Sequence, residues 1–408
     1  MTKYQKIIIY LILFFGLILG LVSIFFFGDA HIDNEWGVML DVLEKENILS
    51  IRRVEGEYVP NIFMPPLYPI FLFIVKKLLF GLDILVISIQ LIQLLLFLLS
   101  AVIMNKILIL FFSNNLANFG TFIFTFFPLN LYAIGQISSI IVQVFLIISF
   151  IYFFIKIYET YLFKNVVLFS LSAGFLMLLR GEFFILFFFS LFYLFLKGKN
   201  FKSIILSALI TLLIISPYLW RNYKIFNVIT ITKSTGFNLL KGNNPLSNVE
   251  GIPLSPDASE LMKVVPRLEE EINNIGLVKN YDLIIDKIFL SKAINFIKEN
   301  PKKYIILYFK KFLSFTFIDI ESKHPNYYSL FHTIPKIIIS ITTCLSAITL
   351  FNFRLSLYNF FILYYFLNIG LFSFFFILPR YSLSLLPVQI ILSMFLIKKI
   401  KFFPLSLK

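Results

Sequence analysis

The sequence predicts an all-α polytopic membrane protein. Of its 408 residues, 59% are hydrophobic and only 14% are charged, and the mean hydropathy is +0.90. About a quarter of the residues of a soluble domain are charged, so this chain has too few charges to cover a surface in water. Its apolar runs are long enough to cross the roughly 30 Å hydrocarbon core of a bilayer as helices. We expect about 10–11 transmembrane helices.

Ten apolar segments are the candidate spans, several of them short, as occurs when helices pack around a cavity and the bilayer thins locally. They are 7–27, 84–104, 117–134, 138–155, 165–180, 182–197, 203–219, 333–351, 356–377 and 382–397. The run at 7–27 is too long for the apolar part of a signal peptide, and no small-x-small cleavage site follows it. We therefore expect it to be retained as the first span.

Basic residues orient these spans by the positive-inside rule. Lys3 and Lys6 place the N-terminus in the cytoplasm, and the other cytoplasmic lysines and arginines lie at 156–164, 197–202, 354 and 398–401. Both termini are then cytoplasmic, in what we expect to be a bacterial cytoplasmic membrane. The extracytoplasmic segments are 28–83, 135–137, 181, 220–332 and 378–381.

The apolar segment 64–80 is an exception, because counting it as a span would reverse every later loop. We expect it to lie in the outer interface as a half-inserted helix that begins at Pro65 and Pro66. Lys76 and Lys77 would then reach towards headgroups. The chain thus divides into a transmembrane module at 1–219, which holds the first external loop (28–83), an external loop region at 220–332, and C-terminal helices at 333–408.

Several function classes find no support in the residues. The net charge of +14 comes from short basic clusters between apolar runs, which is typical of membrane flanks and excludes a nucleic-acid partner. Cys344 is the single cysteine, so no internal disulfide forms. The three histidines are scattered, and the nucleotide-binding patterns are absent. The residues identify no cofactor with certainty, and dependence on a divalent metal stays open although no cluster in the sequence supports it.

The first polar constellation follows the first span and contains Asp33 and Glu35. A carboxylate where a helix leaves the membrane lies at low dielectric, which raises its pKa and suits a general base. The alternative is structural: Asp33 caps a helix from Glu35 to about Leu49, and Glu35 favours its first turn. Both interpretations place an amphipathic helix, starting near Trp36, at the interface.

Three further constellations lie at external ends of spans. Arg180 either pairs with Glu182 or binds a phosphate, since charge at membrane depth is normally paired or used; a tight surface turn is the structural alternative. Arg380, beside Tyr381, is an interfacial anchor or a phosphate ligand. The third comprises a helix exit and a Gly- and Asn-rich turn, in which amides and asparagine side chains could bind anions and sugar hydroxyls; its residues are Arg221, Asn222, Lys241, Asn243 and Asn244.

Taken in order, these motifs resemble the GT-C membrane glycosyltransferases, especially the group similar to protein O-mannosyltransferases and the lipid A aminoarabinose transferase. The matching motifs are a D-x-x-aromatic segment at Asp33–Trp36, PPLYP at 65–69, a PW..RN-like exit at 217–222, a G-x-N-L…GNNP turn at 236–245, an A..yI..nP..y helix at 293–304, and RY…P at 380–387. One departure concerns 135–140, where relatives often carry an early acidic residue and this chain has hydroxyls only.

The resemblance implies a GT-C-like arrangement and an inverting transfer from a polyprenyl-phosphate sugar donor to an acceptor lipid, glycan or protein outside the cytoplasm. It implies Asp33 as the base, with Glu35 as the reserve. The implied donor-phosphate ligands are Arg180, Arg221, Lys241 and Arg380, with Arg52 and Arg53 as weaker candidates that could equally touch headgroups. The implied substrate-binding residues are Trp36, Tyr68, Glu182, Asn222, Asn243, Asn244 and Tyr381.

Two other functions remain open at this point. A flippase or transporter of a lipid-linked saccharide would carry inverted repeats and helices broken near mid-membrane, and neither is recognisable in the sequence. An O-antigen ligase or polymerase shares the composition and one large external loop, but those enzymes lack the early Asp loop.

Overall fold

Nearly all the regular structure is α-helical, which confirms the predicted fold class. The computed structural model describes residues 3–79, 84–251, 262–263, 265–322, 329–352 and 354–400. The first half of these residues forms α1 (Lys3–Phe27), α2 (Glu35–Glu46), β1 (Arg52–Val54), β2 (Glu57–Val59), α3 (Leu67–Leu78), α4 (Leu85–Phe111), α5 (Asn114–Thr125), α6 (Pro128–Gly135), α7 (Ile140–Glu159), α8 (Phe163–Leu179), α9 (Phe183–Leu196) and α10 (Phe201–Phe226).

The second half continues the helical pattern and contributes no strand within the described ranges. It forms α11 (Thr235–Gly242), α12 (Leu268–Asn273), α13 (Tyr281–Glu299), α14 (Pro301–Thr316), α15 (Leu330–Leu350), α16 (Leu357–Ser373), a 3₁₀ helix (Pro379–Ser384) and α17 (Leu386–Lys399). The two short strands form one antiparallel hairpin with Arg52 opposite Val59.

Fewer single helices can cross a bilayer than the 10–11 expected. In the described ranges, α1 (from Tyr4), α4, α7, α10 and α15 are long and apolar enough, and the bent pair α5 and α6 makes a sixth. α8, α9 and α16 are apolar but shorter. At 1.5 Å per residue, helices of this length fall short of a core of about 30 Å. The expected span 382–397 is divided between the 3₁₀ helix and the buried helix α17.

The segment 117–134, expected as one span, is broken between α5 and α6 by 47°. Pro128 is the first residue of α6, and Phe127 before it is extended, with φ −65° and ψ 118°. A proline ring clashes with a helical residue before it, so the break follows from the sequence. The bend turns α6 across the end of α1, where a Cβ on Gly135 would lie 2.9 Å from Cα of Gly28.

The segment 28–83 contains a short helix where one was expected, whose place in the outer interface stays a prediction, and it corrects the expected helix cap. α3 begins after Pro66 and has only 12 residues, too few to span. The predicted cap by Asp33 is wrong: the Asn34 side chain accepts the hydrogen bond from the Trp36 amide (3.0 Å). α2 ends at Glu46, before the expected Leu49, because Asn47 adopts a left-handed conformation with φ 57°.

The lysines of α3 face a protein partner. Lys76 Nζ lies 2.5 Å from a Glu44 carboxylate oxygen, and Lys77 Nζ lies 3.8 Å from the other oxygen. Hydrogen bonding from Lys76 lowers the pKa of Glu44. The expected contact of these lysines with headgroups is therefore replaced, for Lys76, by an ion pair that joins α3 to α2.

The membrane core is built around α7, which is buried on most sides and packs against α4 and α8. Rings stack within it, for instance Phe154 on Phe360 with centroids 4.0 Å apart. A second, smaller core lies in the external region, where α11 packs on α13. There the Asp286 carboxylate accepts hydrogen bonds from the amides of Gly236 (2.7 Å) and Phe237 (3.2 Å) and so caps α11.

A buried lysine holds the turn that follows α11. Lys311 Nζ donates to the Gly242 carbonyl (2.8 Å) and to Oδ1 of Asn243 (3.1 Å). Gly242 approaches the Phe375 carbonyl so closely that a Cβ would lie 2.0 Å from its oxygen. The turn is thus clamped between α14 and the segment after α16.

This clamp predicts a pH dependence of stability. Burial lowers the pKa of Lys311 to about 7, whereas an unfolded lysine titrates near 10.4. Between about pH 7 and 10 the unfolded state binds more protons, so the stability that this residue contributes increases with pH across that window. We expect the thermal unfolding midpoint of the purified protein to rise over this range and Lys311→Met to flatten the rise.

The matched control is Lys310→Met, which removes the exposed neighbouring lysine and should keep the rise. An unchanged rise in Lys311→Met would show that another group titrates.

Candidate active site

The loop after α1 is held by the non-helical connection between α6 and α7. The Asp29 carboxylate accepts a hydrogen bond from the Ile137 amide (2.7 Å), and the Asn34 side chain donates to the Ile137 carbonyl (3.2 Å). From α4, Gln90 donates to the carbonyls of Asp29 (2.9 Å) and Gly135 (2.7 Å). The loop that carries the candidate base is therefore fixed in place by buried amides.

Asp33 and Glu35 stand next to this anchor and remain available for chemistry. The Asp33 side chain is exposed and that of Glu35 is half-buried. Neither carboxylate makes a hydrogen bond or an ion pair with any described residue. Two free carboxylates thus project from a segment whose backbone is held rigidly on both sides.

Trp36, which follows these carboxylates in the sequence, packs against Tyr68 of α3. Their rings meet edge to face with centroids 5.1 Å apart. Tyr68 is 1% exposed and donates to Oε1 of Gln93 (3.2 Å), which in turn donates to the carbonyls of Ile134 and Gln136. Tyr68 therefore supports Trp36, and of the two residues only Trp36 is partly exposed.

Arg180 and Tyr381, which were expected to be site residues on the basis of two separate motifs, contact each other. The Arg180 guanidinium lies over the Tyr381 ring, 5.3 Å from its centroid. Its Nε is buried and has no hydrogen-bond partner. Arg180 forms no ion pair with Glu182, whose side chain is exposed. A buried N–H without an acceptor costs about 1–3 kcal/mol, so this site is suited to an acceptor from a ligand.

Arg380 precedes Tyr381 on the 3₁₀ helix Pro379–Ser384. Its side chain is half-buried and has no hydrogen bond or ion pair within the described residues. The 3₁₀ helix contacts both α6 and α7. The helix that carries Arg380 thus packs on the two helices whose connection anchors the loop of Asp33 and Glu35, although no hydrogen bond or ion pair joins the arginines to the carboxylates.

Two other expected ligands, Arg221 and Asn222, have partners inside the protein. Arg221 Nη1 donates to the Asn61 carbonyl (2.7 Å) and to Oδ1 of Asn222 (2.8 Å). Asn222 is fully buried and donates to the Thr230 carbonyl (2.6 Å). They join the end of α10 to the first external loop.

A buried acid lies in the same region. Asp282 accepts from the Ile62 amide (3.0 Å), and its carboxylate lies 3.6 Å from Nε of Arg52. Burial raises the pKa of Asp282, while Arg52 opposes the shift. The weaker phosphate candidate Arg52 thus has a carboxylate partner, and Arg53 lies over the Tyr58 ring at 4.3 Å.

The turn after α11 also uses its polar groups internally. The Lys241 ammonium lies over the Phe376 ring, 4.5 Å from its centroid. The Asn243 side chain donates to the carbonyls of Leu239 and Phe374, and that of Asn244 donates to the Leu240 carbonyl. Both asparagines are fully buried. Of the four main phosphate candidates, Arg180 and Arg380 make no side-chain hydrogen bond or ion pair to any described residue, whereas Arg221 and Lys241 contact protein groups.

Sequence reasoning missed Asp29, Gln90, Gln93 and Asp282. The sequence did contain a signal for the two glutamines. They are three residues apart and so share one face of an otherwise apolar helix, where buried polar side chains require hydrogen-bond partners. No group of three or more metal-ligating side chains occurs among the described residues.

Comparisons with known proteins support the fold. Neither a protein-family model nor a curated protein matches the sequence. Among solved structures, the oligosaccharyltransferase AglB of Archaeoglobus fulgidus, in complex with an inhibitory peptide and a dolichol-phosphate, matches with a TM-score of 0.57 and 13% identity over 98% of this chain and 51% of that one. The same enzyme tethered to an acceptor peptide matches with a TM-score of 0.56 and 13% identity, over 98% and 50%.

A more distant match is ArnT of Cupriavidus metallidurans bound to undecaprenyl phosphate, with a TM-score of 0.46 and 12% identity over 96% of this chain and 77% of that one. The fold assignment does not depend on it. The chain spans about half the length of the archaeal oligosaccharyltransferases. The GT-C-like fold expected from the sequence is confirmed, and the protein is a multi-pass integral membrane protein with that fold.

Proposed function

We propose that the protein is a membrane glycosyltransferase that moves a sugar from a polyprenyl-phosphate donor to an acceptor on the extracytoplasmic side of a bacterial cytoplasmic membrane. The observation that carries the proposal is the buried, unpartnered Nε of Arg180 beside Tyr381, with the free guanidinium of Arg380 on the adjoining residue. Two arginines with unused donors suit a phosphate, which accepts charge-assisted hydrogen bonds from planar guanidinium groups.

The lipid part of the donor is supported by the surroundings of these arginines. Arg180 follows directly after the apolar helix α8, and Arg380 lies between the apolar helix α16 and the buried helix α17. A phosphate on a polyprenyl chain can approach such a position laterally, within the membrane. The likeness to an oligosaccharyltransferase structure that contains a dolichol-phosphate agrees with this donor class.

The free carboxylates supply the base. In the proposed step the acceptor hydroxyl oxygen attacks the anomeric carbon while the bond from that carbon to the phosphate oxygen breaks, so the configuration inverts. The hydroxyl proton passes to Asp33, with Glu35 as the reserve, and the electron pair of the broken bond leaves with the polyprenyl phosphate. Arg180 and Arg380 stabilise the charge that develops on the leaving phosphate. The acceptor is a lipid, a glycan or a protein.

The other expected residues act around this centre. Trp36 and Tyr381 present aromatic faces on which a sugar or prenyl group packs, and Glu182 is an exposed acceptor for sugar hydroxyls. Tyr68, Asn222, Asn243 and Asn244 hold the loops that carry the site. Arg221 and Lys241 contribute positive potential through their charge, since their direct contacts are to protein groups.

The base assignment is tested by Asp33→Asn, which should leave membrane insertion intact and lower transfer by about 100-fold or more, as loss of a general base does. The measurement is release of free polyprenyl phosphate from a sugar-loaded donor by the purified protein. Asp41→Asn, which changes an exposed acid on the helix α2 that follows, is the control and should keep full activity. Full activity in both Asp33→Asn and Glu35→Gln would remove the proposed base.

The phosphate site is tested by Arg180→Gln and Arg380→Gln. Each change removes a charge-assisted hydrogen bond and should weaken binding of polyprenyl phosphate roughly tenfold or more. Equilibrium binding to the purified protein is measured, with Arg354→Gln, an exposed arginine on the expected cytoplasmic side, as the control. Unchanged affinity in both variants would place the phosphate elsewhere.

The same preparations separate transfer from transport. A transferase releases polyprenyl phosphate when an acceptor is added, whereas a flippase moves the intact donor between leaflets and releases none. Movement without cleavage would replace the proposal with the transporter alternative.

A further inference from the structure

The external helix α14 (Pro301–Thr316) runs alongside an apolar helix. The ring of Phe312 lies parallel to that of Phe366 on α16 with centroids 6.3 Å apart, and the Tyr308 hydroxyl donates to the Gly370 carbonyl (3.2 Å). α16 is one of the shorter apolar helices of the membrane core. α14 is therefore held at the edge of the membrane region.

The face of α14 opposite its buried residues Leu307, Lys311 and Phe315 carries exposed apolar side chains. Ile305, Phe309 and Leu313 lie four residues apart, and their side chains are 53%, 59% and 57% exposed. Residues four apart share one face of a helix, so they form a continuous stripe. A stripe of large apolar side chains is unfavourable in water and favourable against lipid.

Lysines lie near the N-terminal part of this stripe and line a cavity. The cavity has a volume of about 550 Å³, and the residues that line it include Ser247, Asn300, Lys302, Lys303, Ile306 and Lys310. Lys302 and Lys310 make no hydrogen bond or ion pair within the described ranges, and Lys303 uses one donor on the Pro245 carbonyl (2.6 Å). Glu299 is the acidic member of the lining.

We propose that α14 is an interfacial helix whose lysine-lined cavity binds the headgroup of an anionic phospholipid while the stripe at Ile305, Phe309 and Leu313 contacts its acyl chains. Three cations against one acid favour a negative headgroup, and lysines near a membrane surface select anionic lipids. The apolar stripe beside the cavity matches an amphipathic ligand, since a water-soluble phosphate would leave it exposed. The proposal is independent of the transfer reaction, because none of these residues belongs to the candidate active site.

The experiment reconstitutes the full-length protein in vesicles and uses a tryptophan reporter. Trp36 and Trp220 are replaced by Phe, since they are the two tryptophans of the chain, and Phe309→Trp is added. Quenching is measured with brominated phosphatidylglycerol and with brominated phosphatidylcholine at equal mole fraction. We expect phosphatidylglycerol to quench about threefold or more strongly, as cations near an anionic surface imply.

Two controls test position and charge separately. Leu277→Trp, a half-exposed site before α13, should show little quenching by either lipid. Lys302→Gln/Lys303→Gln/Lys310→Gln should lose the preference for phosphatidylglycerol and keep quenching by phosphatidylcholine. The matched triple Lys263→Gln/Lys279→Gln/Lys287→Gln, which alters three exposed lysines outside the cavity, should keep the preference.

The proposal is overturned if Phe309→Trp is quenched no more than Leu277→Trp, or if the two lipids quench it equally in the otherwise unmodified protein. Should the glutamine triple fail to insert, the arginine triple at the same positions replaces it. That variant keeps the charge and should keep the preference, and its loss would also overturn the proposal.

Discussion

The rest of the structure depends on satisfying the backbone between α6 and α7. Residues 136–139 are not helical, and Ile137 and Ser139 among them are buried. An unbonded carbonyl or amide in such surroundings is costly, so each needs a partner. Gln90 and Gln93 supply amides from α4, and Asp29 and Asn34 complete the set from the loop after α1. Through these bonds the stability of the connection is coupled to the position of the first external loop.

This coupling gives the candidate site its rigidity. Asn34 caps α2 through its side-chain oxygen and donates to the α6–α7 connection through its side-chain nitrogen. Asp33 and Glu35, on either side of Asn34, are therefore attached to a residue whose side chain is held at both polar atoms. Helices α6 and α7, on either side of this connection, both contact the 3₁₀ helix that carries Arg380 and Tyr381. A general base and a phosphate site are more effective when the supporting residues are already bonded, because little order remains to be imposed when substrate binds.

The distribution of arginines separates supporting roles from candidate chemistry. Arg221 donates through Nη1 to the Asn61 carbonyl and to Asn222, and Arg52 pairs with the buried Asp282. Both hold the external region against the membrane module. Arg180 and Arg380 have unused donors, and a charged group kept near membrane depth without a protein partner is normally kept for a ligand. The supporting or chemical role assigned to each arginine therefore follows from the groups that it contacts, since all four are the same residue type.

The sequence by itself determined the all-helical membrane architecture and the short α3, because both follow from apolar run length. Apolar run length missed the break at Pro128, since it predicts one span at 117–134, although the rigid proline ring explains the break. The ordered motifs of the sequence also indicated the GT-C-like fold. The sequence did not show that Asn34, and not Asp33, caps the helix. It also did not show that Arg221 is hydrogen-bonded to protein groups while Arg380 is not, because residues distant in the chain decide which donors find a partner. Arg180 and Tyr381 are 201 positions apart in the sequence (381 − 180). Their contact was decided by tertiary structure alone, because packing of the membrane helices brings the two segments together.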